Sequence, residues 1–153
     1  MAHINELFDF VVVAYIVYQD KILFIFHKKL GRWLPIGGHI ELNEDPDEAL
    51  FREVKEECGL EIEVLSDKPN LESSGTKFLY TPAFLDVHDI SETHKHIGLY
   101  YFAKAKSDKF KLNGEEHNDI RWLNREDLDS PEFNLTPAIK FYASEALTKL
   151  SEK

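Results

Sequence analysis

The 153-residue chain is poor in several things, and each shortage excludes something. It holds one cysteine, Cys58, so no internal disulfide can form and a reducing, cytoplasmic setting is expected. Glycine and proline number only 7 and 6, and charged residues make up 30%, which argues against a fibrous or disordered chain. Basic residues are scarce, 18 Lys and Arg against 28 Asp and Glu, for a net charge of −10. A protein held to nucleic acid by bulk attraction usually shows a basic face, so no such binding is expected. A phosphate substrate stays open, because clustered carboxylates can hold divalent cations that reverse the local sign. The longest apolar run, Phe10 to Tyr18, stops at Gln19, Asp20 and Lys21, far short of the ~20 residues of a membrane span. The start, Met1 to Glu6, lacks the basic opening of a secretory signal.

What is present suits one globular domain. At 43% hydrophobic residues and this length, roughly two thirds of the unfolded chain's surface can be buried. Phe10 to Tyr18 is β-branched and aromatic, Gln19-Asp20 offers a turn, and Lys21 to Phe26 follows, which predicts a hairpin. The near-continuous apolarity of these strands implies cover on both faces, hence helices on a sheet. Gly31 to Pro35 predicts a short strand, and Ile36 to His39 a loop whose two glycines permit unusual backbone angles. Asp45, Pro46 and Glu48 are the N-cap, first position and capping-box partner of a helix that Gly59 ends. Leu50, Phe51, Val54 and Cys58 form its apolar stripe, and Arg52, Glu53, Glu56 and Glu57 its other side. Glu61 to Leu65, Phe78 to Val87, Ile97 to Ala105 and Asp119 to Leu123 predict further strands. The stretch from Ser66 to Thr76 predicts a loop, and Thr136-Pro137 opens a C-terminal helix.

Acidic residues gather between Gly38 and Leu60: Glu41, Glu44, Asp45, Asp47, Glu48, Glu53, Glu56 and Glu57, against Arg52 and Lys55. Glu53, Glu56 and Glu57 fall at i, i+3 and i+4, so their like charges crowd one helical face. Two readings of that face are open: a solvated acidic surface, or oxygen ligands for a hard divalent cation such as Mg²⁺. Gly37-Gly38, between a strand and this helix, lets backbone approach the carboxylates. There a carbonyl can complete a metal's shell and N–H groups can meet phosphate, although a glycine pair is also an ordinary turn.

The run Gly38-x5-Glu44-x7-Arg52-Glu53-Val54-x-Glu56-Glu57-x-Gly59-Leu60 resembles the Nudix box at every fixed position. The chain is thereby identified as a member of the Nudix hydrolase family, MutT-like in type. Leu34-Pro35, Ile120-Arg121-Trp122-Leu123 and Glu126-Asp127-Leu128 extend the resemblance. It implies an α/β protein, the Nudix α/β/α sandwich with a mixed sheet between the box helix and the C-terminal helix. It also implies Mg²⁺- or Mn²⁺-dependent hydrolysis of a diphosphate linkage in a nucleotide derivative. On the resemblance, Glu56 and Glu57 are metal ligands, Glu53 is a ligand or base, and the Gly37 carbonyl is a further ligand. Arg52 orients the glutamates and Glu44 supports from outside. Relatives often place an extra glutamate ahead of the last strand, which makes Glu116, or else Glu115, the candidate base. A homodimer is compatible with the family, and no residue here marks an interface. The alternative to an enzyme is a Nudix-fold module that binds a nucleotide without turning it over; the intact Glu53, Glu56 and Glu57 favour the enzyme.

His88, His94 and His96 invite a zinc reading, since His94 and His96 would share one face of a strand. A zinc site wants a fourth ligand and supporting partners, and Cys58 belongs to the helix's apolar stripe, so ordinary strand-edge histidines are the plainer account. Gly38, His39, Arg32 and His96 are the candidates for contacting substrate phosphate or base. Downstream markers narrow the substrate by elimination. Thr76 stands where ADP-ribose-cleaving relatives tend to carry proline, and Tyr80 is off the place of the tyrosine typical of dinucleoside-polyphosphate relatives. The array typical of NADH pyrophosphatases is missing. The class left resembles nucleoside triphosphate pyrophosphohydrolases.

Overall fold

The computed structural model describes residues 4–111 and 117–152, without the side chains of His117 and Asn118. Its elements run β1 (Phe8–Tyr18), β2 (Lys21–His27), β3 (Arg32–Leu34), β4 (Ile36–His39), α1 (Pro46–Glu57), β5 (Ile62–Val64), β6 (Phe84–Asp89), β7 (Lys95–Ala105), β8 (His117–Leu123), a 3₁₀ turn (Glu126–Asp129) and α2 (Pro137–Leu150). One mixed sheet joins all eight strands in the order β3-β2-β1-β7-β5, with β4 on β1, β6 on β7 and β8 on β2. Only β1 and β7 run parallel among these pairs, matched from Phe8 with Lys95 to Val17 with Lys104.

The other edge of β1 is divided between two partners. Val11 to Ala14 pair with β4, and Val17 and Tyr18 pair with β2. Alternation along β1 sends Val12, Ala14 and Ile16 to a core with Ala49, Leu50, Val54 and Cys58 of α1. It sends Tyr15 and Val17 to a second core with Tyr142, Ala143, Ala146 and Leu147 of α2. Both faces are covered, as the unbroken apolarity of β1 predicts. The α/β/α sandwich is therefore present.

Local chemistry sets the ends of both helices. The Glu48 N–H donates to Asp45 Oδ1 at 2.9 Å and the Asp45 N–H to Glu48 Oε1 at 3.1 Å, a complete capping box. At the other end Gly59 takes φ +67° and its N–H donates to the Val54 carbonyl at 3.0 Å, closing the last turn. Thr136 caps α2 by accepting from the Ile139 N–H at 3.2 Å.

Three expectations change. Ile36 to His39 is a strand, not a loop, because its glycines serve close packing against β1. Phe78 to Val87 is strand only from Phe84 onward; before it, the Tyr80 and Thr81 N–H groups donate to Asp47 and Ser66 side chains instead of a ladder. Phe51 leaves the apolar stripe for the surface, its ring 6.2 Å from that of Tyr80.

Asp86 of β6 ties α2 to the sheet. It accepts from the Tyr142 hydroxyl at 2.6 Å and the Tyr100 hydroxyl at 2.9 Å, with His88 Nδ1 also at 2.9 Å. Burial alone would raise its pKa, but these bonds outweigh burial and hold it below the ordinary 3.8. A depressed carboxylate contributes stability above its unfolded pKa and loses it as pH falls through the folded one. Asp86→Ala is expected to lower the unfolding free energy by about 2 kcal/mol near neutrality, with the difference shrinking in acid. Urea melts across pH check this; a pH-independent difference contradicts it.

Candidate active site

Glu53 and Glu57 lie four residues apart on α1 and so share one face of the helix. That face is turned to β4, and both residues are buried, at 6% and 5% exposure. The helix thus does not simply present its acids to solvent. Glu56, on the neighbouring flank, keeps a side chain that is 56% exposed.

The glycines of β4 explain why two carboxylates fit under a strand. A Cβ on Gly38 would collide with the Glu53 carboxyl group. A Cβ on Gly37 would lie 2.5 Å from the Val12 carbonyl oxygen of β1. The Gly37 N–H donates to Glu57 Oε1 at 2.9 Å, so the contact seen at this residue is through its amide. Any side chain at either position would push the strand away from the carboxylates or from β1.

Arg52 gathers the remaining groups. Its Nε and Nη2 donate to the two oxygens of Glu44 at 3.0 and 2.6 Å, a bidentate pair. Nη1 reaches Glu53 Oε1 at 2.8 Å and Glu56 Oε2 at 3.3 Å, and Nη2 also reaches the His39 carbonyl at 3.0 Å. One guanidinium therefore spans the loop before α1, the helix and the end of β4. A lysine, with one point charge, could not reproduce the fork.

The charges are perturbed accordingly. Burial, and then the neighbouring Glu57 charge, push the Glu53 carboxyl up to about 8 despite the opposing pull of Arg52. Hydrogen bonds from Arg52 hold Glu44 below its ordinary range, and those to Glu44 first, then Glu53, raise Arg52. A buried carboxylate pair of this kind favours a proton or a cation between its members. Its oxygen donors are of the kind a hard divalent ion takes.

The other sequence candidates are dispersed. His39, 4% exposed, turns its ring to the opposite face of β4, toward His96, with the two Nε2 atoms 3.1 Å apart. His96 sits in β7, and its pKa is pushed down to about 4 by burial and then by the nearby histidines. Arg32 is exposed at the start of β3 and, among the described residues, makes no ion pair with the box glutamates. Glu115 and Glu116 lie outside the described residues. An apolar groove of about 570 Å³, lined by Phe10, Ile40, Leu85, Ile97 and Leu99 among others, reaches Pro46 at the far end of α1 from Glu57. Sequence reasoning passed over Asp9. Its signal was an acid beside an otherwise apolar strand, a residue that must find a partner if buried.

The NUDIX domain model matches residues 9–144. Among curated proteins, the nucleoside triphosphatase NudI of Enterobacter sp. (strain 638) is 29% identical over 117 residues, 72% of this chain and 74% of that protein. A NUDIX-family hydrolase from Clostridium perfringens superposes with a TM-score of 0.83 at 37% identity, covering 94% of this chain and 98% of its own. A MutT NUDIX hydrolase from Burkholderia pseudomallei shares the fold, with a TM-score of 0.67 at 24% identity over 95% of this chain and 100% of that one.

The raised Glu53 pKa gives a signed prediction. A folded pKa above the ordinary 4.5 means that the fold favours the protonated form, so stability falls as pH rises from 4.5 through about 8. With chelator present, Glu53→Gln is expected to be more stable than the wild type near about pH 9, the gap closing toward about pH 5. Denaturant midpoints measure it; a gap unchanged with pH contradicts the perturbed carboxyl.

Proposed function

The chain belongs to the NUDIX family and is a hydrolase, and on that footing we propose that it cleaves the diphosphate linkage of a nucleoside triphosphate or related nucleotide with Mg²⁺ bound at the α1–β4 junction. The observation that carries the proposal is the buried Glu53–Glu57 pair under the two glycines. Keeping two acids there is unfavourable for the fold alone, and it is the donor set a hard cation needs. NUDIX enzymes generally use a divalent metal; Mg²⁺, with Mn²⁺ as its substitute, matches an all-oxygen set.

Glu57, Glu56 and Glu53 would hold the ion. When bound, a divalent cation neutralises pyrophosphate oxygens and lowers the pKa of a coordinated water. The chain's own residues do the positioning. Arg52 fixes the Glu53 carboxyl and limits the reach of Glu56, while Glu44 occupies the other side of the guanidinium and keeps it from swinging away. The Gly37 amide fixes the rotamer of Glu57. A cation bound beside Glu53 would favour its charged form, in which it can serve as a ligand or accept a proton. Glu116, with Glu115 as the other choice, remains the proposed base from the last-strand side.

The substrate class rests on two supports. The downstream markers of ADP-ribose, dinucleoside-polyphosphate and NADH relatives are missing, and the relative from Enterobacter is called a nucleoside triphosphatase. A small-molecule nucleotide, not a polymer, also fits the net charge of −10. No described helix is long and apolar enough to cross a membrane.

Product analysis with Mg²⁺ over nucleoside triphosphates, ADP-ribose, dinucleoside polyphosphates and NADH tests the reading. A nucleoside monophosphate plus pyrophosphate is expected, with Glu57→Gln reducing turnover by about 100-fold or more at unchanged circular dichroism. Cleavage confined to the sugar and dinucleotide substrates contradicts the substrate class; full turnover in the variant removes Glu57 from the site.

A further inference from the structure

Four side chains from separate parts of the chain converge on the face of β4 that looks away from Gly38 and the box glutamates. Asp9 comes from β1, His39 from β4, His94 from the residue just before β7 and His96 from its start. Asp9, His39 and His94 are 1%, 4% and 3% exposed, and His96 is half-buried. Asp9 Oδ2 is 3.1 Å from His94 Nε2 and 3.6 Å from His39 Nε2, and His39 Nε2 is 3.1 Å from His96 Nε2. One ligand atom each from Asp9, His94 and His96 fall within 4.8 Å of one another. Neighbouring donors around a tetrahedral zinc stand about 3.3 Å apart, the edge set by bonds of about 2.0–2.1 Å. The Asp9–His94 separation of 3.1 Å is close to that edge.

We propose that Asp9, His94 and His96 form a zinc-class divalent metal site, flanked by His39 and distinct from the carboxylate site on α1. Two imidazoles and one carboxylate select zinc or a similar transition ion, whereas Mg²⁺ prefers oxygen donors. Three protein ligands leave a fourth position, and His39, with its Nε2 3.1 Å from that of His96, stands beside it. Supporting contacts are already in place. His94 Nδ1 lies 3.0 Å from the Glu6 carbonyl, which can only accept, so Nδ1 carries the proton. Nε2 of that ring then turns a lone pair, or a second proton, toward Asp9. A cation shared with the carboxylate is the arrangement that metal-binding histidines of this tautomer usually serve. Asp9 is itself oriented by the Asn5 and Ile4 N–H groups at 2.7 and 3.2 Å.

Such an ion would clamp the start of β1 to the start of β7, and the His39–His96 contact would tie the exit of β4 to both. His39 directly follows Gly38, and its carbonyl accepts from Arg52. The clamp would therefore stiffen the glycine strand from the side opposite the glutamates. The ordinary alternative is a buried polar cluster in which His94 is hydrogen-bonded to Asp9.

Chelator-stripped protein titrated with Co²⁺ separates the two, because a tetrahedral nitrogen-containing site gives a strong visible absorption that an all-oxygen six-coordinate site lacks. The expected result is one such band, abolished by one equivalent of Zn²⁺ but not by excess Mg²⁺. It should be retained in Glu57→Gln and lost in His96→Gln. Zn²⁺ should also move the side-chain ¹⁵N resonances of at least two of the 7 histidines in the wild type, a readout independent of any variant's folding. No band in the wild type, a band that His96→Gln keeps, or zinc leaving the histidine resonances in place would overturn the site.

Discussion

The close contact between the β4 backbone and the carboxyls of Glu53 and Glu57 is the constraint on which the rest of the site depends. Two carboxyls under a strand are tolerable only if the strand lacks side chains there and a proton or a cation offsets their charge. Gly37 and Gly38 meet the first condition, and Arg52 meets the second in part. Everything else aims these pieces. The Asp45–Glu48 capping box and Gly59 set where α1 begins and ends, and hence which residues face β4. The core of Val12, Ala14, Leu50 and Val54 holds helix and sheet at a fixed separation. Hydrophobic burial thus supplies the stability that a crowded acidic pair lowers.

β4 is only four residues long, yet its alternation serves two environments. Gly38 looks toward Glu53, and His39 looks toward Asp9 and His96. The divided edge of β1 makes this possible, since β4 occupies only its first half and β2 takes over beyond. The parallel pairing of β1 with β7 then sets Asp9 beside His96 from far along the chain. Arg52 links the two sides through the His39 carbonyl, so a change at the histidine cluster can reach the glutamates through one residue of backbone.

Those parts written in local chemistry were legible in the sequence. Asp45, Pro46, Glu48 and Gly59 locate α1 without any knowledge of its neighbours, and the spacing of Glu53, Glu56 and Glu57 puts them on adjoining flanks. The parts set by tertiary register were not. Glycine is a poor strand former, so Ile36 to His39 looked like a loop; only contact with β1 and α1 makes the missing side chains an advantage. Burial of Glu53 and Glu57 follows from the same contact. The histidines read as strand-edge residues because a fourth ligand was sought in Cys58, which is buried against the Val54 carbonyl on the α1 side. Asp9, from another strand, is the residue that the structure brings beside His94 and His96.

The most direct test of the central constraint leaves every charged residue in place. Gly38→Ala adds one methyl group where the Glu53 carboxyl now lies. Calorimetric Mg²⁺ titration and turnover should be compared with the wild type in protein whose circular dichroism confirms the fold. The account predicts that metal affinity and turnover fall together by about 10-fold or more, since the carboxylate is displaced though present. Unchanged metal binding and turnover would show that the glycine contact does not position the carboxylates, and would contradict it.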